Sequence, residues 1–247
     1  MKDCSNYGAI TCTNPVASAG GIVGSNSDLN TLVKDCKNYG SISGGSGSTF
    51  GYTGGIVGQN YGTVTGCINE KEAHISGGEA YSIGGIVGYN FCEIANCYNL
   101  GETTMTDDAT TAYIGGIAGL SYLPPTPFDG TCKIENCYSY TDSAVPYSAE
   151  GSTTNCYYLS DRETEEVNGV TGKTSAQFAS GEVAYLLQSG QAEDGGVIPQ
   201  VWGQMLTGET PDMMPVFTSD NAKKVLKVSF MLEDEQGGTY IEHAAAY

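Results

Sequence analysis

Basic residues are scarce in this chain. Over 247 residues it has 10 Lys plus Arg against 28 Asp plus Glu, a formal net charge of −18. Nucleic-acid affinity rests on cations that neutralise phosphate, so that partner class is excluded. An anionic membrane surface is excluded on the same ground. No apolar run reaches the ~18 residues that span a bilayer, so no membrane insertion is expected. Histidine and arginine together supply His74, Arg162 and His243 alone, and these do not cluster in sequence. Catalysis recruits such groups in pairs and triads. Its usual motifs are missing as well. There is no Gly-x-Ser-x-Gly, no His-Glu-x-x-His, and no glycine-rich run followed by Lys-Ser/Thr. The acidic stretch Asp161–Glu166 lacks the spacing of a calcium loop and reads as a solvated connector. No cofactor or metal is expected.

Glycine, in contrast, is abundant at 35 residues, and it recurs in order. Gly20-Gly21-Ile22-Val23-Gly24 returns at 54–58 and 84–88, and at 115–119 with Ala118 in place of valine. The steps are 34, 30 and 31 residues. Such a period points to a stacked repeat architecture. A second block keeps pace: Lys2–Gly8 and Lys34–Gly40 differ only at Ser5 against Lys37. Looser copies surround Cys67, Cys97, Cys137 and Cys156. A third block reads Ser41-Ile42-Ser43-Gly44, then His74-Ile75-Ser76-Gly77.

Each unit is thus a set of short β-branched pieces bounded by Gly and Asn. Runs this short bury a face only by stacking. The expected fold is all-β: a right-handed parallel β-solenoid over residues 1–160, one coil per ~30-residue repeat, with rungs ~4.8 Å apart. Ile22, Ile56, Ile86 and Ile117 should form one ladder, and Cys36, Cys67, Cys97 and Cys137 another. Gly21, Gly55, Gly85 and Gly116 supply backbone freedom and close approach at a corner. Asn38, Asn69 and Asn99, with Asn6, Asn26, Asn60 and Asn90, read as turn residues that tolerate the left-handed region and stack their amides. They are structural in this reading, not ligand contacts.

In this order of blocks the chain resembles the GLUG repeat of bacterial surface proteins. The likeness covers about Met1 to Leu159. It rests on Gly-Gly-Ile-Val-Gly, on Asn96-Cys97-Tyr98-Asn99 and on Gly40-Ser41-Ile42-Ser43-Gly44. Such repeats occur in large secreted or wall-attached proteins, including some immunoglobulin A peptidases, where they lie outside the catalytic domain. The resemblance implies a secreted or cell-surface location. Met1 is followed at once by the middle of a repeat, so the chain is expected to be a piece of a longer protein with its signal peptide upstream.

The nine cysteines admit two readings. One is a disulfide-stapled secreted domain. The other is small buried thiols filling the interior, one per rung, which the even placement favours. Cys92 and Cys132 share a second repeat position, and Cys12 stands alone. Cys-x4-Cys occurs twice, but without a nearby histidine and outside zinc-module spacing.

Insertions interrupt the period at Ser43–Thr49, Thr103–Thr111 and Tyr122–Gly130. Insertions in solenoids map to loops that often bind, so Tyr122, Phe128 and Asp129 are the candidate ligand residues. Residues 161–220 read as a C-terminal cap. Thr174-Ser175-Ala176-Gln177 opens a helix as a capping box, Gly181 interrupts it and Gly190 stops it. Trp202 should be buried there. The stretches at Gln177–Leu186, Trp202–Gln204 and Pro215–Phe217 resemble the tail that follows such repeats in gut-bacterial surface proteins. Residues 221–247 alternate as a hairpin, which either pairs with the cap or begins a further module.

The expected role is a non-catalytic structural or adhesion segment, with a host or bacterial surface protein or a neutral glycan as partner. A carbohydrate-binding surface for neutral glycans, built on the exposed share of 17 Tyr, is the alternative. A β-helix polysaccharide-degrading enzyme is the second. Lyases of that type use a basic residue, and Met1–Leu159 has no Arg and only five Lys. A deep cleft lined by Asp107, Asp108, Asp129 or Lys133 would favour it.

Overall fold

A computed structural model describes residues 1–13, 17–44, 51–77, 82–105, 113–122, 132–141, 147–148, 151–160, 166–191, 196–232 and 241–245. The chain forms two compact units, Met1–Gly172 and Lys173–Tyr247.

The first unit is a parallel β-solenoid. One coil runs through strands Leu32–Lys34, Lys37–Asn38, Ile42–Ser43, Tyr52–Gly54 and Val57–Asn60, and the next begins at Thr63–Thr65. Each strand pairs in register with its counterpart one repeat away. Val33, Val64, Ile94 and Ile134 align in one ladder. Gly20, Gly54, Gly84 and Gly115 align in another, and Val23, Val57, Val87 and Ala118 in a third. Parallel in-register stacking turns two- to four-residue pieces into continuous apolar columns. One core gathers Val33, Ile56, Val57, Val64, Ile86, Ile94, Ile117 and Ile134 with the cysteine column. A second gathers Ala19, Ile42, Ile75 and Ile83.

The glycines of the recurring block serve space, not conformational freedom. None of them takes a left-handed φ. A Cβ on Gly55 would sit 2.1 Å from the Gly85 carbonyl oxygen and 2.6 Å from the Asn69 side chain. A Cβ on Gly58 would sit 2.8 Å from the Ala19 nitrogen, and one on Gly88 would sit 2.6 Å from the Thr53 nitrogen. The Tyr52–Gly54 and Val57–Asn60 ladders therefore pack backbone against backbone, which only glycine permits.

The left-handed positions lie elsewhere. In the solenoid they include the residues before the six column cysteines: Asp3, Asp35, Asn96, Asn136 and Asn155, with φ of 50° to 54°, and Gly66 at 65°; Asn168 at 52° is a further one. The asparagines assigned from sequence to that conformation do not adopt it. Their amides instead close turns and ladders.

The solenoid sheet runs past the boundary read from the sequence at residue 160. Strand Val170–Lys173 follows Cys156–Leu159 in the same sheet, so the compact unit extends to Gly172. In the second unit, α1 (Ser175–Ala179) is opened by the Thr174–Gln177 capping box, and α2 (Glu182–Ser189) starts after Gly181 at φ 90°. That φ suits glycine and breaks the helical run in two. Trp202–Gly203 pairs antiparallel with Val216–Phe217. Trp202, Phe178, Val183 and Leu187 are fully buried. The Gln188 side-chain oxygen Oε1 accepts from the Val201 and Trp202 N–H groups, both at 2.9 Å. Val228–Leu232 and Ile241–Ala245 form the antiparallel hairpin, within this unit.

Candidate functional site

Two columns of asparagine run along the solenoid. In one, the Asn6 Nδ2 donates to Asn38 Oδ1, Asn38 to Asn69 and Asn69 to Asn99, each at 2.8 Å. Asn99 ends the series on Ser139 Oγ at 3.3 Å. In the other, Asn26 donates to Asn60 at 2.8 Å, Asn60 to Asn90 at 2.9 Å, and Asn90 to Ser121 Oγ at 3.1 Å. The Asn6, Asn38, Asn60, Asn90 and Asn99 amides also clamp their own turns: Asn60 donates to the Gly62 carbonyl at 2.9 Å and accepts from the Gly62 N–H at 3.1 Å. Asn38, Asn60, Asn69, Asn90 and Asn99 are fully buried. Every polar atom of the side chain is used internally, which leaves nothing for a ligand.

Cys4, Cys36, Cys67, Cys97, Cys137 and Cys156 form a third column. None of the nine cysteines is in a disulfide; seven are buried, and Cys4 and Cys12 are half-buried. Sulfur hydrogen-bonds run to the carbonyl two residues back, as in Cys36 to Lys34 at 3.1 Å and Cys97 to Ala95 at 3.3 Å. The Cys97 N–H donates to Cys137 Sγ at 3.4 Å. Burial pushes the Cys137 thiol well up. A hydrogen bond with Cys67, joined by burial, does the same to Cys36. Thiols held protonated in this way are weak nucleophiles. Because Glu93 and Lys133 are register partners, Cys92 and Cys132 are neighbours on adjacent rungs. Cys132 Sγ lies 2.9 Å from Ser121 Oγ.

A run of four aromatic rings is the most ligand-like feature of the solenoid. Tyr52 meets Tyr89 with centroids 4.8 Å apart, and Tyr89 meets Phe91 at 4.1 Å, both tilted by about 45°. Phe91 stacks on Tyr61 at 4.3 Å and 7°. Tyr52, Tyr61 and Tyr89 are half-buried. The Gln59 side-chain amide donates to the Tyr61 hydroxyl at 3.1 Å. Burial raises the Tyr61 pKa. Tyr122, 39% exposed, donates its N–H to the Asn90 carbonyl just as Phe91 does to Asn60 and Tyr61 to Asn26. It therefore occupies the next rung of the same column. The sequence reading chose Tyr122 as a loop residue and passed over Tyr52, Tyr61, Tyr89 and Phe91. For Tyr61 and Phe91 a signal was present: Asn60-Tyr61, Asn90-Phe91 and Ser121-Tyr122 each follow the closing glycine of the block at a fixed step; Tyr52 and Tyr89 stand at positions that do not repeat.

Phe128 and Asp129, like Asp107 and Asp108, lie outside the described residues. Lys133 is half-buried and ion-paired with Glu135 at 2.5 Å. His74 is exposed just before strand Ile75–Gly77, 3.3 Å from Glu102. In the second unit a cavity of about 140 Å³ is lined by Tyr185, Gln188, Ile198 and Leu226 among others. Among the described residues, no helix is long and apolar enough to cross a membrane.

Residues 79–104 match the GLUG motif. They cover the third glycine block, Phe91, the Cys92–Cys97 pair and Asn99. No curated protein compared with the chain matches it. A solved structure that is similar is the 1.30 Å crystal structure of a candidate immunoglobulin A1 protease from Bacteroides ovatus. Identity is 21% and the TM-score 0.45, over 89% of this chain and 57% of that one. The chain thus spans little more than half the length of that protein.

Proposed function

We propose that this chain is a non-catalytic structural or adhesion segment of a secreted or surface-anchored bacterial protein. The observation that carries the reading is the pair of asparagine columns. The residues that recur from coil to coil are consumed by stacking: glycine for backbone contact, asparagine for turn and ladder, cysteine and isoleucine for the core. A coil built this way adds length and stiffness with each repeat. The Cys36 and Cys137 thiols are held protonated; Cys97, which burial alone would raise, is drawn below the usual thiol value by hydrogen bonds from Cys137 and Cys67, but it is fully buried among other thiols, and His74 faces solvent beside Glu102.

Stretching the chain between its two ends tests this. The expected result is a fixed length up to cooperative rupture, with weaker rupture when Asn60 or Asn69 is replaced. Turnover of a protein or glycan substrate by the purified chain, lost on replacing one side chain, would sink the reading. The aromatic run favours a second reading, in which adhesion proceeds through a neutral glycan held on the solenoid.

A further inference from the structure

We propose that Tyr52, Tyr61 and Tyr89, backed by the buried ring of Phe91, with Gln59 beside them and Tyr122 one rung on, form a binding strip for a linear neutral glycan. This deepens the adhesion reading and rests on it.

Charge narrows the ligand first. The rings stand on three columns of the solenoid, fixed by the register of Tyr52 with Ser82, of Gln59 with Tyr89, and of Asn60 with Asn90. Followed over four rungs, none of those three columns carries an Asp, Glu, Lys or Arg. An acidic polysaccharide or a phosphorylated ligand would find no cation there, and a basic one no carboxylate. An uncharged ligand loses nothing by docking.

The surface that remains is apolar ring with polar edges. Tyrosine joins an aromatic body to a hydroxyl, and Gln59 adds an amide already turned toward the Tyr61 hydroxyl at 3.1 Å. A pyranose has the complementary make-up: C–H groups that lie on a ring, and hydroxyls that reach the rim. The rings are also held in place. Each is in contact with the next at 4.1 to 4.8 Å, so little side-chain freedom is left to lose on binding. Their rungs follow at ~4.8 Å, a step of the order of one sugar residue in an extended chain. Tyr61, Tyr89 and Tyr122 stand on three successive rungs, so successive sugar units of an extended chain meet successive rings.

Affinity electrophoresis of the whole chain tests the proposal, with hydroxyethylcellulose, xylan or galactomannan in the gel and polygalacturonate as the acidic comparison. The expected result is retardation by at least one neutral polymer. Tyr89→Ala and Gln59→Ala should each weaken it several-fold, and the double variant Tyr61→Ala/Tyr89→Ala at least tenfold. Tyr7→Ala, outside the three columns, should leave it unchanged. Circular-dichroism melting of every variant separates lost binding from lost fold, and Gln59→Ala removes only a surface amide. Absence of retardation by all three neutral polymers, retardation by polygalacturonate alone, or retardation indifferent to these substitutions in folded protein overturns the proposal. The structural reading falls separately, on the stretching experiment.

Discussion

Asn60 is where the stacking account is most exposed to test. Its side chain is fully buried. Its amide nitrogen donates to Asn90 Oδ1 and to the Gly62 carbonyl, each at 2.9 Å, and its oxygen accepts from Asn26 at 2.8 Å and from the Gly62 N–H at 3.1 Å. Asn60→Ala takes this acceptor from two donors and this donor from Asn90, in a place water does not reach. A buried polar group left without its partner costs about 1–3 kcal/mol, so three at the lower end cost about 3 kcal/mol. That is a large share of a typical folding free energy of about 5–15 kcal/mol. Asn60→Asp refines the test. Its carboxylate keeps both acceptor roles but sets an anion against the Asn90 and Gly62 oxygens, which raises its folded pKa above the ordinary value of about 3.9. Below that value the carboxyl proton can donate to Asn90 Oδ1. The deficit of Asn60→Asp against the parent should therefore be smallest in acid and grow as pH rises through the raised pKa. Equilibrium urea unfolding from pH 3 to 8 measures both variants. A loss below about 1 kcal/mol for Asn60→Ala, or an Asn60→Asp deficit that does not vary with pH, would refute the reasoning.

Four further outcomes follow from the same geometry. A Cβ on Gly85 would lie 2.2 Å from the Gly116 oxygen, whereas one on Gly8 meets its nearest atom at 3.8 Å; Gly85→Ala should prevent soluble expression or cost over ~3 kcal/mol, and Gly8→Ala should be near neutral in the same melting assay. At Asn96, with φ of 50°, the Ala variant should be less stable than the Gly variant by about 1 kcal/mol, since both remove the side chain and only alanine strains the backbone. Thiol titration in denaturant without reductant should count nine free thiols, and native protein should alkylate Cys137 only as fast as it unfolds; a count below six would contradict the stacked column. Burial, followed by the nearby Glu70 charge, raises the Tyr98 pKa, so the unfolded chain ionises first, and stability should fall as pH rises above about 10; Tyr98→Phe should make that fall shallower in urea unfolding at pH 8 to 11.

The fold was legible because stacking imposes its period on the sequence. Gly-Gly-Ile-Val-Gly and the cysteine block recur at the rung step, and from that step follow the parallel register and the shared ladders. The capping box at Thr174 and the break at Gly181 were legible because helix ends are local chemistry. The reasons for individual residues were less so. Glycine and asparagine each solve two problems, left-handed backbone and tight space or turn, and sequence alone does not say which. The structure divides the work: the doubled glycines make room, the buried asparagines bridge rungs, and Asp, Asn or Gly before each of the six column cysteines takes the left-handed turn. Val170–Lys173 joins the sheet of Cys156–Leu159 without a glycine block, as do the strands from Lys133 to Leu159, so no period announces it.

The candidate site was hardest to see because it breaks the repeat. In a solenoid, a column whose residues touch their own copies above and below is constrained in every coil, and the repeated letters report that constraint. A column free of it can change from coil to coil. The third position of the Val57–Asn60 ladder reads Ser25, Gln59, Tyr89, Leu120, and the first of the Tyr52–Gly54 ladder reads Ser18, Tyr52, Ser82, Tyr113. These are the irregular positions, and they are where the rings gather. Ser25 and Ser18 give the first rung no ring, while Tyr52, Tyr89 and Phe91 crowd the second and third. A recognition surface on such a scaffold has to be sought in the letters that fail to repeat, since the repeating ones are already committed to holding one coil on the next.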